Sequence, residues 1–145
     1  MDCFATIRKR VPGSAVVILP TVIQELAHLA DAPDEPPDVR RAARRALSSL
    51  LHEWRFRPVN CVPVGHGIVE ETARKVLGSG LLPVEEFNDA LILAEAALVG
   101  AWILLTSDRH LLDIDPGRLK EVLEACDVAV PLIASPRRIV RHFFQ

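Results

Sequence analysis

The chain has 145 residues, of which 50% are hydrophobic and 25% are charged. This composition predicts one folded domain over residues 1–145 and excludes a disordered chain or a multidomain protein. Because 17 Lys and Arg residues oppose 19 Asp and Glu residues, for a net charge of −2, any site for a polyanion must be a local basic patch.

The chain carries no pattern that would send it to a membrane or an oxidising compartment. No apolar run approaches the roughly 20 residues of a spanning helix, and the N-terminal segment lacks a signal-peptide pattern. The 3 cysteines are far apart and contain no C-x-x-C pair, which argues against a disulfide framework and a zinc knuckle. We therefore expect a cytoplasmic protein with no membrane partner.

Short apolar runs alternate with helical patterns along the chain, which predicts an α/β domain with a mainly parallel sheet. The predicted strands cover residues 15–19, 59–64, 101–105 and 128–131. Thr21 and Gln24 have capping-box spacing and predict the start of the first helix, and Asp38 predicts the cap of a second helix that reaches about Trp54. Further helices are predicted at 68–77, at 84–99 with Gly100 as its stop, at 118–125 after a turn at 115–117, and from Pro136 onward.

Asp89 is the most informative residue, because it lies on a predicted helix that is apolar nearly all round. An ionised carboxylate buried without a partner costs several kcal/mol, so Asp89 requires a cation, a set of donors or a proton. Asp108 follows the strand predicted at 101–105, at the carboxyl end where open α/β sheets bind ligands. Glu25 follows the strand predicted at 15–19 by one helical turn.

These three carboxylates would repel one another at one sheet edge unless a hard divalent cation neutralised them. We therefore expect a site for Mg²⁺ or Mn²⁺ formed by Glu25, Asp89 and Asp108. The alternative for Asp89 and Asp108 is a helix cap or a turn carboxylate. The alternative for Glu25 is a solvated acid in the first turn of its helix, where the helix dipole favours it.

The segment NDALILAEAALVGAWILLTSD (88–108) resembles the distal motifs of the PIN-domain ribonucleases, the family that includes the VapC toxins of bacterial toxin–antitoxin pairs. PTVIQELAHL (20–29) resembles the second motif of that family, and SPRRIV (135–140) resembles its closing segment. The resemblance implies a three-layer α/β/α fold and an acidic metal cluster that includes Glu25, Asp89 and Asp108, supported by Asn88 and Thr106. At the N-terminus, either Asp2 stands for the Asp that ends the first strand of the family and residues 3–7 belong to the helix after it, or residues 3–7 are themselves that strand and the acid is missing.

The function implied by the resemblance is Mg²⁺- or Mn²⁺-dependent endoribonuclease activity, as a homodimeric toxin with a cognate antitoxin protein. A rival interpretation is a catalytically degenerate PIN fold that binds RNA or a protein without cleaving it. A phospho-acceptor domain of the receiver type is a weaker fit, because no acceptor Asp ends a central strand.

The basic residues Arg41, Arg44 and Arg45 form a dense run on the second predicted helix, opposite its apolar face. They are expected to contact the RNA backbone, and the alternative is a solvated face whose charge is balanced by the acidic loop before it. The 5 histidines are scattered and none is assigned to catalysis, although His110 lies two residues beyond Asp108, where many PIN domains carry a further acid.

Overall fold

The computed structural model describes residues 3–61, 65 and 67–144, which form α-helices and short parallel strands of a broadly α/β protein. Close contacts divide the chain into two units, with the boundary between Asn60 and Cys61. We call them the N-terminal unit and the C-terminal unit, and the expectation of a single domain stays a prediction. Among the described residues, no helix combines the length and the apolar character needed to cross a bilayer.

The N-terminal unit combines four helical segments with one pair of short strands. Its elements are α1 (Cys3–Arg10), β1 (Val17–Ile18), α2 (Pro20–Asp31), α3 (Pro37–Ser48), a π-helical turn (Ser49–Glu53) and β2 (Arg57–Pro58). Strands β1 and β2 are parallel, with Val17 opposite Arg57. Helix α2 packs against α3. The rings of Phe4, Trp54 and Phe56 lie with their centroids 5.6 to 6.0 Å apart and add an aromatic cluster to this unit.

Three sequence predictions in the N-terminal unit are wrong in detail. Helix α2 begins at Pro20 and has no side-chain cap, because proline fits the first helical position without losing a hydrogen bond. Likewise α3 begins at Pro37, so Asp38 lies in its first turn, where the helix dipole favours an acid, and is not the cap. The strand predicted at 59–64 is observed earlier, at Arg57–Pro58, and residues 62–64 lie outside the described part.

The C-terminal unit carries the second strand pair and most of the buried helical surface. Its elements are α4 (Ile68–Gly78), α5 (Phe87–Leu98), β3 (Ile103–Leu105), α6 (Arg109–Leu112), α7 (Pro116–Ala125), β4 (Leu132–Ala134) and α8 (Pro136–Phe143). Helix α5 packs against α4. Seven of the twelve residues of α5 are buried, and Leu93 is 0% exposed. The predicted apolar character of this helix is therefore confirmed.

Strands β3 and β4 are parallel, with Ile103 opposite Leu132 and Leu105 opposite Ala134. The strand predicted at 128–131 is therefore displaced to Leu132–Ala134, where the backbone N–H of Leu132 donates to the carbonyl of Trp102 at 2.8 Å. Proline at 131 has no N–H to give to such a ladder. The predicted stop at Gly100 is confirmed, because this glycine has φ of +70° directly after α5 and its C-cap residue.

Candidate metal centre

The start of α5 brings two carboxylates to one side of the helix. Glu86 is the N-cap residue of α5 and Asp89 lies in its first turn. Residues three apart on a helix share a face, so the two side chains can approach a common point. The Asp89 side chain is only 13% exposed, against 32% for Glu86.

His110, on the short helix α6, completes a group of three side chains. Its Nδ1 atom lies 3.4 Å from Oε1 of Glu86 and 3.9 Å from Oδ2 of Asp89. Among the described residues, one ligand atom each of Glu86, Asp89 and His110 lies within 4.8 Å of the others. Two ligand atoms that are each about 2.1 Å from one ion are at most about 4.2 Å apart, so a small side-chain adjustment lets all three reach a single divalent cation.

Asp108 approaches the same imidazole but also has a structural role. Its Oδ1 lies 3.9 Å from Nδ1 of His110 and accepts hydrogen bonds from the backbone N–H groups of His110 (2.8 Å) and Leu111 (3.4 Å). The side chain of Thr106 accepts a hydrogen bond from the backbone N–H of Asp108 at 3.0 Å. Asp108 therefore caps α6, which is the alternative given in the sequence analysis. Because His110 is the second residue of α6, this cap helps to fix its position.

Replacing Asp108 separates its two roles. Asp108→Asn keeps a good cap and removes the charge, whereas Asp108→Ala removes both. We expect Asp108→Ala to lower the free energy of unfolding by about 0.5–2 kcal/mol and Asp108→Asn to lower it by less, as measured by urea denaturation. If both variants weaken Mn²⁺ binding equally, the charge of Asp108 matters to the cation. If only Asp108→Ala does, the cap alone is important.

The structure brings together only part of the set predicted from sequence. Asp89 and Asp108 both face His110, and Thr106 supports Asp108, whereas Asn88 lies exposed on α5. Glu25 lies partly exposed on α2 of the N-terminal unit, so its role as a ligand stays a prediction, and Asp2 lies outside the described residues. The remaining predicted residues are exposed on α3 of the N-terminal unit: Arg41, Arg44 and Arg45. Of these, Arg44 lies 3.8 Å from Asp31 in an exposed ion pair.

Sequence reasoning missed Glu86 and assigned no role to His110. For Glu86 the available signal was its position three residues before Asp89 at a helix start, the spacing that places two acids on one face. For His110 it was the Thr-x-Asp-x-His pattern after a strand, which becomes informative once a helix is known to begin at Arg109.

One buried acid of α5 that does not belong to this group affects a cysteine. Glu95 is 4% exposed, and Cys61 is partly buried. Burial and the nearby carboxylate of Glu95 both disfavour the thiolate, so they raise the pKa of Cys61 above its ordinary value of 9.0. A thiol of raised pKa is a poor nucleophile near neutral pH, so Cys61 does not suggest a second catalytic centre.

Comparisons with protein-family models, with curated proteins and with solved structures found no match to this chain.

Proposed function

We propose that this protein is a divalent-metal-dependent endoribonuclease of the PIN type, with a three-layer α/β/α fold. The observation that supports this proposal most directly is the convergence of Glu86, Asp89 and His110 on one point, with Asp108 beside them. The resemblance of residues 88–108 to the PIN motifs suggests hydrolysis of RNA as the reaction. Two of the carboxylates in this group, Asp89 and Asp108, belong to that segment.

The side chains of this group have distinct roles in the proposed reaction. Asp89 is the most buried of them and provides a fixed negative charge, while Glu86 and His110 lie nearer the solvent, where a phosphodiester would enter. A bound Mg²⁺ or Mn²⁺ ion would supply charge neutralisation at the phosphoryl oxygens and activation of a water molecule. Asp108 holds the start of α6 and so keeps His110 in place.

Substrate and partners follow from the resemblance. RNA is the proposed substrate, and Arg41, Arg44 and Arg45, which are exposed on α3, are proposed contacts for its phosphates. A toxin role with a cognate antitoxin, action in the cytoplasm and a homodimeric state complete the proposal. Glu25 is retained as a proposed fourth carboxylate of the site, and Asn88 as a supporting polar residue.

The decisive experiment incubates the purified full chain with labelled structured RNA in Mg²⁺, in Mn²⁺ or in excess EDTA. We expect cleavage with a divalent ion, none in EDTA, and recovery when metal is restored, because phosphodiester hydrolysis at this group requires the cation. A variant with Arg41, Arg44 and Arg45 changed to Ala should bind RNA more weakly, and its affinity should vary less with the salt concentration. RNA that remains intact under every condition while binding tightly would overturn the nuclease and leave an RNA-binding module.

A further inference from the structure

The position of the His110 ring among three carboxylates distinguishes this site from a purely acidic one. Nδ1 of His110 lies 3.4 Å from Glu86, 3.9 Å from Asp89 and 3.9 Å from Asp108. A charge-assisted N–H···O bond is usually about 2.7–2.9 Å long. All three separations are longer than that, so Nδ1 makes no short hydrogen bond to any of these three carboxylates.

The spacing is also one that atoms sharing an ion can have. Ligand atoms about 2.1 Å from one metal, at the angles of a tetrahedron or an octahedron, lie about 3.0 to 4.2 Å from each other. The separations of 3.4 Å and 3.9 Å between Nδ1 and the oxygens of Glu86 and Asp89 fall in that range. The set holds one imidazole nitrogen and two carboxylates, which would together hold the ion, and the His110 side chain is 48% exposed.

We propose that Nδ1 of His110 is a metal ligand and that the site consequently selects a transition-metal ion, Mn²⁺ or Co²⁺ in preference to Mg²⁺. Mg²⁺ is a hard ion that takes oxygen ligands and gives up its waters reluctantly. Imidazole nitrogen suits first-row transition metals, whose affinity for a given N/O site rises from Mn²⁺ to Co²⁺. This inference rests on the cation site of the proposed function but not on hydrolysis of RNA.

Direct metal binding tests it. The metal-stripped full chain is titrated with Mg²⁺, Mn²⁺ and Co²⁺ by isothermal calorimetry, alongside His110→Asp and the control His142→Asp, which alters an exposed histidine of α8. We expect wild type and His142→Asp to bind Co²⁺ and Mn²⁺ at least about tenfold more tightly than Mg²⁺. His110→Asp should lose at least about tenfold in Co²⁺ affinity and keep its Mg²⁺ affinity, because it offers an oxygen in place of nitrogen.

Wild-type protein alone gives a second measurement, should His110→Asp fail to fold. In NMR spectra with substoichiometric Co²⁺, the ring protons of His110 should show the large contact shifts of an imidazole bonded to the ion, while those of His142 should not. Equal affinities for Mg²⁺ and Co²⁺, or ring protons of His110 without such contact shifts, would overturn the inference. Co²⁺ binding through His110 without RNA cleavage would support the metal-ligand inference and contradict the proposed nuclease activity. RNA cleavage with no preference among the metals would support the nuclease activity and contradict the inference.

Discussion

Asp89→Asn is expected to lower metal-dependent RNA cleavage at least about 100-fold, because changes even to residues that only support metal ligands cost about 10- to 100-fold. Asp89 is the most enclosed acid of the group, with a buried Oδ2 atom and a side chain that is 13% exposed. Asparagine has nearly the same shape but no charge, and its amide nitrogen repels a cation. Initial rates on labelled RNA and calorimetric Mn²⁺ titrations measure the two effects separately.

The matched control is Asp113→Asn, an exposed acid at the end of α6, which should retain the wild-type rate. The thermal midpoint of Asp89→Asn in EDTA shows separately whether the variant is folded. If Asp89→Asn is folded and cuts RNA at the wild-type rate, Asp89 is not part of the site, and the proposed function loses its main support.

The helical parts of the fold were the most predictable from sequence, because their signals are local. Gly100 marks the stop of α5 through its positive φ, and Pro136, with Ser135 as cap, opens α8 as its sequence indicates. The strands were less predictable, since the observed ones are only two or three residues long. Strands this short are defined by their partner, as with the hydrogen bond from Leu132 to Trp102, and the partner is not visible in the local pattern.

The candidate site shows the same division between local and long-range information. Asp89 could be recognised because a carboxylate on an apolar helix costs free energy unless something compensates it. His110 could not, because α6 is four residues long and has no helical periodicity to reveal it. His110 and Glu86 are 24 positions apart in the sequence. Their proximity in space depends on where α5 and α6 lie, and no spacing rule specifies that.

Leu111→Ala should have the largest effect on stability among changes next to the site. Leu111 is 1% exposed on α6, and α6 packs against β4. Leu-to-Ala changes in a core cost about 2–5 kcal/mol because they leave a cavity, a large share of the roughly 5–15 kcal/mol that stabilises a typical protein. Urea denaturation measures the loss, and Leu132→Ala, at a 57% exposed leucine of β4, should cost less than about 1 kcal/mol.

Comparison of Leu111→Ala with Leu123→Ala shows whether metal binding depends on the packing of α6 or only on overall stability. Leu123 is 0% exposed on α7, so its loss should destabilise the protein to a similar degree. A helix as short as α6 cannot hold itself in place, and Leu111 is its buried residue, directly beside His110. Leu111→Ala should therefore weaken Co²⁺ binding to the folded protein, whereas Leu123→Ala should leave the affinity unchanged. If both variants bind Co²⁺ like the wild type, the position of His110 does not depend on this anchor, and the cap from Asp108 alone suffices to orient the imidazole.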